Sequence, residues 1–387
     1  MAEQRAHSTT RPFLAGVLGF TVQCSSAAVR DVVDALFVDL AEPPPEVELQ
    51  VLRLDEVEVD GTPMLELSGC RGLNPGVALA PDVALDMLVS RLNRLSLDAD
   101  PDRLHLHGAA VAKRGRGVLI SAPGGTGKTT LAAALVSRSW DYLTDEMVAL
   151  APGYPAMTGF AKPLTIKQSG RSLFADLEQH RVAFGPSAGT SWHVPVSGLG
   201  GRPIRCAVPA FLVFLSRDAE STTAEPAWAP LHRADSVVAL MQESMDVGRF
   251  GSGALALVAE VAGRCQAVQV EAGAPHATAA MVAELLAEAT GSDRRQSGQL
   301  TRDTRSEYAS EFTVTESVVS VELDDRVVVH DLRTGKLASF DEAGSAMWLA
   351  LHGRAPGDRR PPQPDSPGVR AFLGSLEREG LVTRDDS

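Results

Sequence analysis

The sequence predicts an α/β core that is preceded by an α+β segment and followed by a small separate module. Residues 105–290 alternate β-type and helical stretches, which is the pattern of a layered α/β fold. Within them, the glycine-rich run Ala122–Thr129 lies between the buried-strand pattern Val118–Ser121 and a helical pattern. The stretch Gly291–Glu311 is polar with few apolar residues, and strand and helix patterns resume beyond it.

The charge and the cysteine content exclude several classes of protein. The chain has 387 residues and a formal charge of −13, from 49 acidic and 36 basic side chains. Such a surface repels phosphate backbones and no basic patch offsets it, so we expect no nucleic-acid partner. The four cysteines are scattered without metal-binding spacing, which favours a reducing cytoplasm over a disulfide framework. No run reaches the ~20 apolar residues of a membrane span, so we expect a cytoplasmic protein with no membrane partner.

The N-terminal segment, residues 1–100, is predicted to mix short strands with one helix. Phe13–Val22 is apolar and is soon followed by polar and acidic residues, which is typical of a first strand rather than a signal peptide. The turn Gly61–Pro63 separates two further strand-like runs. Asp82–Leu95 has apolar residues at three- and four-residue spacing, which predicts an amphipathic helix.

The core, residues 101–290, is predicted to contain a hairpin followed by alternating elements. Lys113–Arg116 suits the turn of that hairpin. The predicted strands are Ala109–Ala112, Gly117–Ser121 and Pro209–Leu215, and the predicted helices are Leu131–Ser137, Ser236–Met245 and Ala277–Thr290.

The C-terminal module, residues 312–387, follows a predicted linker at 291–311. Asp324–Asp325 is expected to turn a hairpin, and Gly380 to end the last helix. The predicted strands are Val318–Leu323, Arg326–Leu332 and Leu337–Phe340, the predicted helices are Ser345–Leu351 and Val369–Glu379, and the proline-rich run Pro356–Gly368 is expected to be a loop.

The run Ala-Pro-Gly-Gly-Thr-Gly-Lys-Thr at Ala122–Thr129 has the composition of a phosphate-binding loop. Its flexible backbone can direct N–H groups at phosphate oxygens, and the following helix N-terminus adds a favourable dipole. Lys128 would place a positive charge on the β- and γ-phosphates, and the Thr129 hydroxyl can bind Mg²⁺. The sequence therefore predicts ATP and Mg²⁺ as cofactors. The predicted nucleotide-binding residues are Gly124, Gly125, Thr126, Gly127, Lys128, Thr129 and Thr130.

Two carboxylates follow the loop and its helix. Asp145 and Glu146 come after a strand-like run, and a strand that ends there would bring both side chains beside the phosphates. They could then bind Mg²⁺, together with Thr129, and deprotonate an acceptor hydroxyl. A solvated acidic turn is the alternative. His107 immediately precedes the strand that enters the core and could contact these carboxylates, although a lone histidine is more often structural.

These residues resemble a known family in their order and approximate spacing. His107-Gly108, Gly127-Lys128-Thr129 and Asp145-Glu146 are similar to the motifs of HPr kinase/phosphorylase, and Leu106–Leu150 looks even more like the related enzymes of ribosomal-peptide clusters, including lasso-peptide kinases. The resemblance implies a P-loop kinase core, in which Asp145 takes the proton of the acceptor serine and His107 supports that carboxylate. Glu146 stands where the family usually has a second Asp. The family's Arg-Gly loop has no clear counterpart, so phosphorolysis is not expected.

Other cationic residues are candidates for contacts with phosphate or peptide. Lys162 and Lys167 lie in a short run after the carboxylates. A transition-state arginine is desirable in phosphoryl transfer, but the sequence does not choose among Arg171, Arg202 and Arg233.

The C-terminal module resembles the PqqD-like family. The resemblance rests on the strand order, on Phe340–Trp348 and on the closing helix before Gly380-Leu381-Val382. It implies a small winged-helix module that binds the leader of a ribosomally made peptide by adding it as a strand to the sheet edge, here within Val318–Leu332. Trp348 is expected to be a core residue rather than a contact. The middle helix that is typical of the family would be shortened or replaced around Pro356–Gly368.

The two resemblances together predict an ATP-dependent kinase of a precursor peptide, with serine as the expected acceptor and the C-terminal module as the leader-binding part. One alternative is a serine kinase that acts on a folded carrier protein. Another is a nucleotide-gated protein that delivers peptides without catalysis. The resemblance also allows a homo-oligomer.

Overall fold

The computed structural model describes residues 7–69, 77–154, 156–184, 191–217, 225–289, 300–301, 311–354, 363 and 365–384. This described part is a mixed α/β protein that divides into two compact units. One unit comprises Met1–Trp228 and Val270–Glu288, and the other comprises Ala229–Gln269 and Ala289–Ser387. Most of the predicted linker and of the predicted loop at 356–368 lies outside the described residues. The predicted domain boundaries stay a prediction.

The elements are numbered along the chain. The α-helices are α1 (Ala27–Leu36), α2 (Pro81–Ala99), α3 (Lys128–Val136), α4 (Arg233–Gln242), α5 (Val247–Phe250), α6 (Ser252–Arg264), α7 (Pro275–Glu288), α8 (Glu342–Leu351) and α9 (Pro367–Arg378). Short 3-10 helices lie at Gln168–His180 and Val196–Leu199. The strands are β1 (Ser8–Thr9), β2 (Phe13–Ala15), β3 (Leu18–Cys24), β4 (Leu49–Val59), β5 (Thr62–Ser68), β6 (Ala78–Leu79), β7 (Leu104–His107), β8 (Ala109–Lys113), β9 (Arg116–Ser121), β10 (Asp141–Thr144), β11 (Met147–Leu150), β12 (Met157–Gly159), β13 (Leu164–Lys167), β14 (Ser191–Val194), β15 (Arg202–Pro203), β16 (Cys206–Ser216), β17 (Ala227–Pro230), β18 (Gln266–Glu271), β19 (Leu300–Thr301), β20 (Phe312–Val314), β21 (Val318–Leu323), β22 (Arg326–Asp331), β23 (Lys336–Ser339) and β24 (Val382–Arg384).

The N-terminal segment is a sheet with the order β1-β3-β4-β5-β6, in which β2 also pairs with β3. The prediction of a single strand over Phe13–Val22 is wrong, because Gly16 at φ +63° turns the chain between β2 and β3. Both strands of this hairpin are buried, which explains why the apolar pattern runs through the turn. Helix α2 confirms the predicted amphipathic helix and packs its apolar face, including Leu85 and Leu88, into the core of the segment.

The core is built on a sheet with the order β15-β10-β8-β9-β16-β12-β11-β7. The predicted hairpin is present as the antiparallel pair β8–β9, and β9 also pairs in parallel with β16. Strands β9 and β16 are buried over most of their length because they lie inside the sheet. β13 and β14 form a separate two-stranded sheet. Helix α3 packs against α7 and β8.

The second unit contains the sheet β19-β21-β22-β23 and the short pair β20–β24. One face of this sheet packs on α8 and α9, where Trp348 is fully buried with Val327 and Leu373, as predicted for Trp348. Helices α4 and α6 contact the same strands. Ion pairs join α4 and the residue before it to the β21–β22 turn, through His232 with Asp325, Arg233 with Asp324 and Asp235 with Arg326. A PqqD-like winged helix stays a prediction for this part.

Candidate functional site

The glycine-rich loop Ala122–Thr129 has the strand–loop–helix form that the sequence predicts. β9 ends at Ser121, and α3 begins at Lys128. Gly125 and Gly127 have φ values of +84° and +119°, in the left-handed region that favours glycine. Lys128 is buried, with Nζ donating to the carbonyl of Ala122, which closes the loop on itself. The first N–H groups of α3 thus follow directly on a loop of the shape that binds phosphate.

A cavity of about 390 Å³ lies on this loop and joins most of the predicted site. Of the predicted nucleotide-binding residues, Thr126 is the exception, because its hydroxyl donates to the carbonyl of Pro123 within the loop and it does not line the cavity. The predicted residues in the cavity wall are Gly124, Gly125, Gly127, Lys128, Thr129, Thr130, His107, Asp145 and Glu146.

Asp145 follows β10 and is almost fully buried in the cavity wall. Its Oδ1 lies 2.6 Å from Lys162 Nζ and accepts a hydrogen bond of 2.8 Å from the Tyr142 hydroxyl. Lys162 is equally buried and comes from the segment between β12 and β13. Oδ2 of Asp145 has no hydrogen-bond partner among the described residues. One oxygen of this carboxylate is therefore held by the protein, and the other remains for a ligand.

Tyr142 is the third member of this cluster. Burial, together with the charges of Asp145 and Glu146, raises the pKa of its hydroxyl well above the ordinary value. The neutral hydroxyl is thus kept as a hydrogen-bond donor to Asp145.

Glu146 lies just before β11, close to the end of β7 at His107. β11 pairs with β7 so that Met147 is opposite His107, and the Gly108 N–H donates to the Glu146 carbonyl. Asp145 itself contacts Lys162 and Tyr142. Support of Asp145 by His107 remains a prediction.

The cavity wall contains oxygen donors of the kind that a divalent cation shared with phosphate would use. Within the described residues no three His, Cys, Asp or Glu side chains form a cage for a metal. Mg²⁺ is usually held by one or two carboxylates together with substrate phosphates and water, so a full protein cage is not needed. Thr129, Glu146 and the unpartnered Oδ2 of Asp145 supply oxygen donors of this kind in one wall.

The sequence did not indicate that the N-terminal segment forms part of this wall. Helix α2 contributes Asp86, Ser90 and Asn93, and β14 contributes His193. His193 is buried, and its Nε2 lies 2.8 Å from Asp86 Oδ1. Nδ1 of His193 has no partner among the described residues. These residues are distant in sequence from the loop, and only the pairing of β13 with β14 and the position of α2 bring them to it.

The other cationic residues that the sequence offered for phosphate or peptide contacts differ in whether they line the cavity. Lys162 binds Asp145, and Lys167 lies in the cavity wall. Arg202 pairs with Asp141, and Arg171 lies over the Trp192 ring at 5.1 Å. Arg233 pairs with Asp324 in the second unit. None of these three arginines lines the cavity.

Among the described residues, the sheet of the C-terminal module ends at β19 on one side and at β23 on the other. β19 pairs with β21, with Leu300 opposite Val321, and β22 lies inside the sheet. β23 has β22 on one side and no strand partner on the other among the described residues. β23 therefore offers one edge for an added strand, and an edge within Val318–Leu332 stays a prediction, because β19 pairs with only two residues of β21.

Comparisons with known proteins find partial likenesses among solved structures, including the following two. One is described as TbiB1 in complex with the TbiA(beta) leader peptide, with 27% identity over 19% of this chain and 98% of that chain, at a TM-score of 0.16. The other is the Hpr(Ser) kinase/phosphatase from Coxiella burnetii, with 15% identity over 33% of this chain and 76% of that chain, at a TM-score of 0.21. Each likeness covers a third of this chain or less.

No family model and no curated protein matches the chain. In the described ranges, every helix is too short or too polar to cross a bilayer.

Proposed function

We propose that the chain is a kinase that transfers the terminal phosphoryl group of ATP to a hydroxyl group, with serine as the expected acceptor, on a ribosomally made precursor peptide. The observation that carries this proposal is that the phosphate-binding loop and the half-satisfied carboxylate of Asp145 line one cavity. A loop of this kind holds a nucleotide, and a carboxylate beside it can accept the proton of an attacking hydroxyl.

The proposed reaction uses the two oxygens of Asp145 differently. The acceptor oxygen forms a bond to the γ-phosphorus, the bond from that phosphorus to the bridging oxygen breaks, and ADP leaves. The hydroxyl proton passes to Oδ2 of Asp145, while Lys162 and Tyr142 fix Oδ1 and so the plane of the carboxylate. Lys128 balances phosphate charge. A Mg²⁺ ion held by Thr129 and Glu146 together with phosphate oxygens would neutralise charge that develops on the nucleotide, and Oδ2 of Asp145 would stay available for the proton.

The acceptor would enter from the side of α2 and β14. Nε2 of His193 lies 2.8 Å from Asp86 Oδ1, Nδ1 is available to a polar group of the acceptor, and Asn93 adds a second polar group in the same wall. A peptide segment supplies suitable partners, because each residue carries a backbone N–H and a carbonyl.

The C-terminal module would bind the leader along β23. Its outer edge presents backbone groups to which an extended peptide can add as a strand. Binding of the leader would raise the local concentration of the acceptor at the kinase site.

Intact-mass spectrometry of candidate precursor peptides, after incubation with the protein, ATP and Mg²⁺, tests this proposal. We expect a gain of one phosphate, which Asp145→Asn abolishes. Replacing Leu337 of β23 with proline should weaken phosphorylation at low peptide concentration, because a strand N–H and the strand geometry are lost.

Two other results would redirect the assignment. Phosphorylation of a folded carrier protein, with no peptide modified, would indicate the carrier-protein kinase. Full biological activity of Asp145→Asn would indicate nucleotide-gated delivery without catalysis.

A further inference from the structure

Strand β16 brings an arginine to the level of the phosphate-binding loop. β16 runs parallel to β9, and Phe214 pairs with Ser121, the residue before the loop. The carboxyl ends of parallel strands meet at one edge of a sheet, where ligands bind. Arg217 follows β16 at this edge.

The guanidinium of Arg217 lies against the loop at Gly127. A Cβ built on Gly127 would be 3.4 Å from Nη2 of Arg217 and 3.8 Å from its Cζ. Gly127 is the last residue before α3, at the point where backbone N–H groups bind phosphate. The charged end of Arg217 is therefore next to the backbone that would hold a nucleotide.

No described carboxylate neutralises this charge. Arg217 is exposed, and within the described ranges it makes no hydrogen bond or ion pair. Arg202 and Arg233, by contrast, both have aspartate partners. An arginine without a carboxylate partner beside a phosphate-binding loop is suited to bidentate contact with phosphate oxygens.

We propose that Arg217 binds the α- and β-phosphates of the nucleotide, an inference that rests on the nucleotide site of the proposed function. Arg217 is outside the wall of the cavity that contains Asp145, which favours the phosphates along the loop over the group that is transferred. It would thus act on nucleotide affinity before it acts on the chemical step.

Calorimetric titration of ADP, ATP and pyrophosphate, each with Mg²⁺, tests this inference without any peptide. We expect Arg217→Ala to weaken the binding of all three ligands by about tenfold. This is the change in affinity that the loss of one hydrogen bond to a charged group produces. Arg217→Lys should lose less affinity, because it retains the charge. The matched control is Arg205→Ala, an exposed arginine of the same unit, which should leave all three affinities unchanged. A thermal melt of each variant checks that it is folded.

The outcomes separate this inference from the proposed function. Unchanged ADP affinity in folded Arg217→Ala would overturn the inference alone, and so would weakened ADP binding with unchanged pyrophosphate binding, since the contact would then be to the nucleoside. Nucleotide binding that depends on Arg217, with no peptide phosphorylated, would support the inference and count against the peptide kinase. Wild-type protein that binds no nucleotide would overturn both.

Discussion

Two buried aspartates, one in each unit, differ in how their oxygens are satisfied. Asp145 has Oδ1 bound by Lys162 and Tyr142, while Oδ2 has no partner among the described residues. Asp331, at the end of β22, has both oxygens satisfied. Its Oδ1 accepts from the Ser317 hydroxyl and from a backbone N–H, and its Oδ2 accepts from the Thr334 hydroxyl.

The difference separates a carboxylate that stabilises the fold from one that is available for chemistry. A fully hydrogen-bonded carboxylate fixes a turn and has little capacity left for a ligand. A buried oxygen without a protein partner is costly to the fold, and one in a cavity wall beside the glycine-rich loop can be used by a ligand or a proton. We therefore assign a structural role to Asp331 and propose the catalytic role for Asp145.

Breaking the ion pair of Asp145 should have the largest effect on stability. Lys162→Met removes one member of a buried pair and leaves the Asp145 charge without compensation, so we expect the free energy of unfolding to fall by about 3–5 kcal/mol. Urea denaturation followed by circular dichroism measures this loss. The control Lys167→Met, an exposed lysine of β13, should change stability little.

The double variant Asp145→Asn/Lys162→Met sharpens this test. It removes both charges, so we expect it to recover most of the lost stability without recovering phosphoryl transfer. A double variant that is less stable than Lys162→Met would show that the ion pair is not what the single change disrupts.

Removing the carboxylate of Asp331 should have a smaller effect, confined to stability. Asp331→Asn places an amide N–H₂ against hydroxyl and backbone N–H groups that themselves donate hydrogen bonds. We expect the free energy of unfolding to fall by about 2 kcal/mol. Phosphorylation by the folded variant at saturating peptide should be unchanged. Asp365→Asn, an exposed aspartate of the same unit, is the matched control.

The acid stability of the second unit should depend on the same residue. Burial alone would raise the pKa of Asp331, but the hydrogen bonds from Ser317, Thr334 and the Arg333 N–H outweigh burial and lower it to about 2. The stabilisation is therefore present above the ordinary pKa of 3.8 and is lost as the pH falls toward 2. An equal loss of stability in wild type and Asp331→Asn between these pH values would contradict the structural assignment.

The sequence predicted the loop better than its surroundings, for a physical reason. Residues 122–129 contain the turn, the charge and the helix start in one local run, so their arrangement needs no long-range information. The position of Asp145 at a strand end was also a local pattern, and the structure confirms that position. The pair with Lys162 depends on how the segment after β12 packs, and no local pattern encodes it.

The part of the cavity wall that α2 and β14 form also could not be predicted from local sequence patterns. Asp86 lies on helix α2 and His193 lies on strand β14, and their pairing arises only from the tertiary fold. The amphipathic pattern of α2 predicted which face is buried but not that its polar residues would line a cavity. For the same reason the sequence does not single out Arg217, because the register between β9 and β16 brings it to the loop.

Tyr142 should give the smallest effect and the most specific one. Tyr142→Phe removes a hydrogen bond to Oδ1 of Asp145 but keeps the ring in the core. We therefore expect the free energy of unfolding to fall by about 1 kcal/mol near neutral pH. Because the pKa of Tyr142 is raised in the folded state, the unfolded chain releases this proton first as the pH rises through 10. Above pH 10, the free energy of unfolding of wild type should then fall by about 1.4 kcal/mol per pH unit relative to that of Tyr142→Phe, as measured by urea denaturation. Tyr154→Phe, which alters an exposed tyrosine, should follow wild type. Parallel stability curves for wild type and Tyr142→Phe would mean that the Tyr142 hydroxyl is not held neutral beside Asp145.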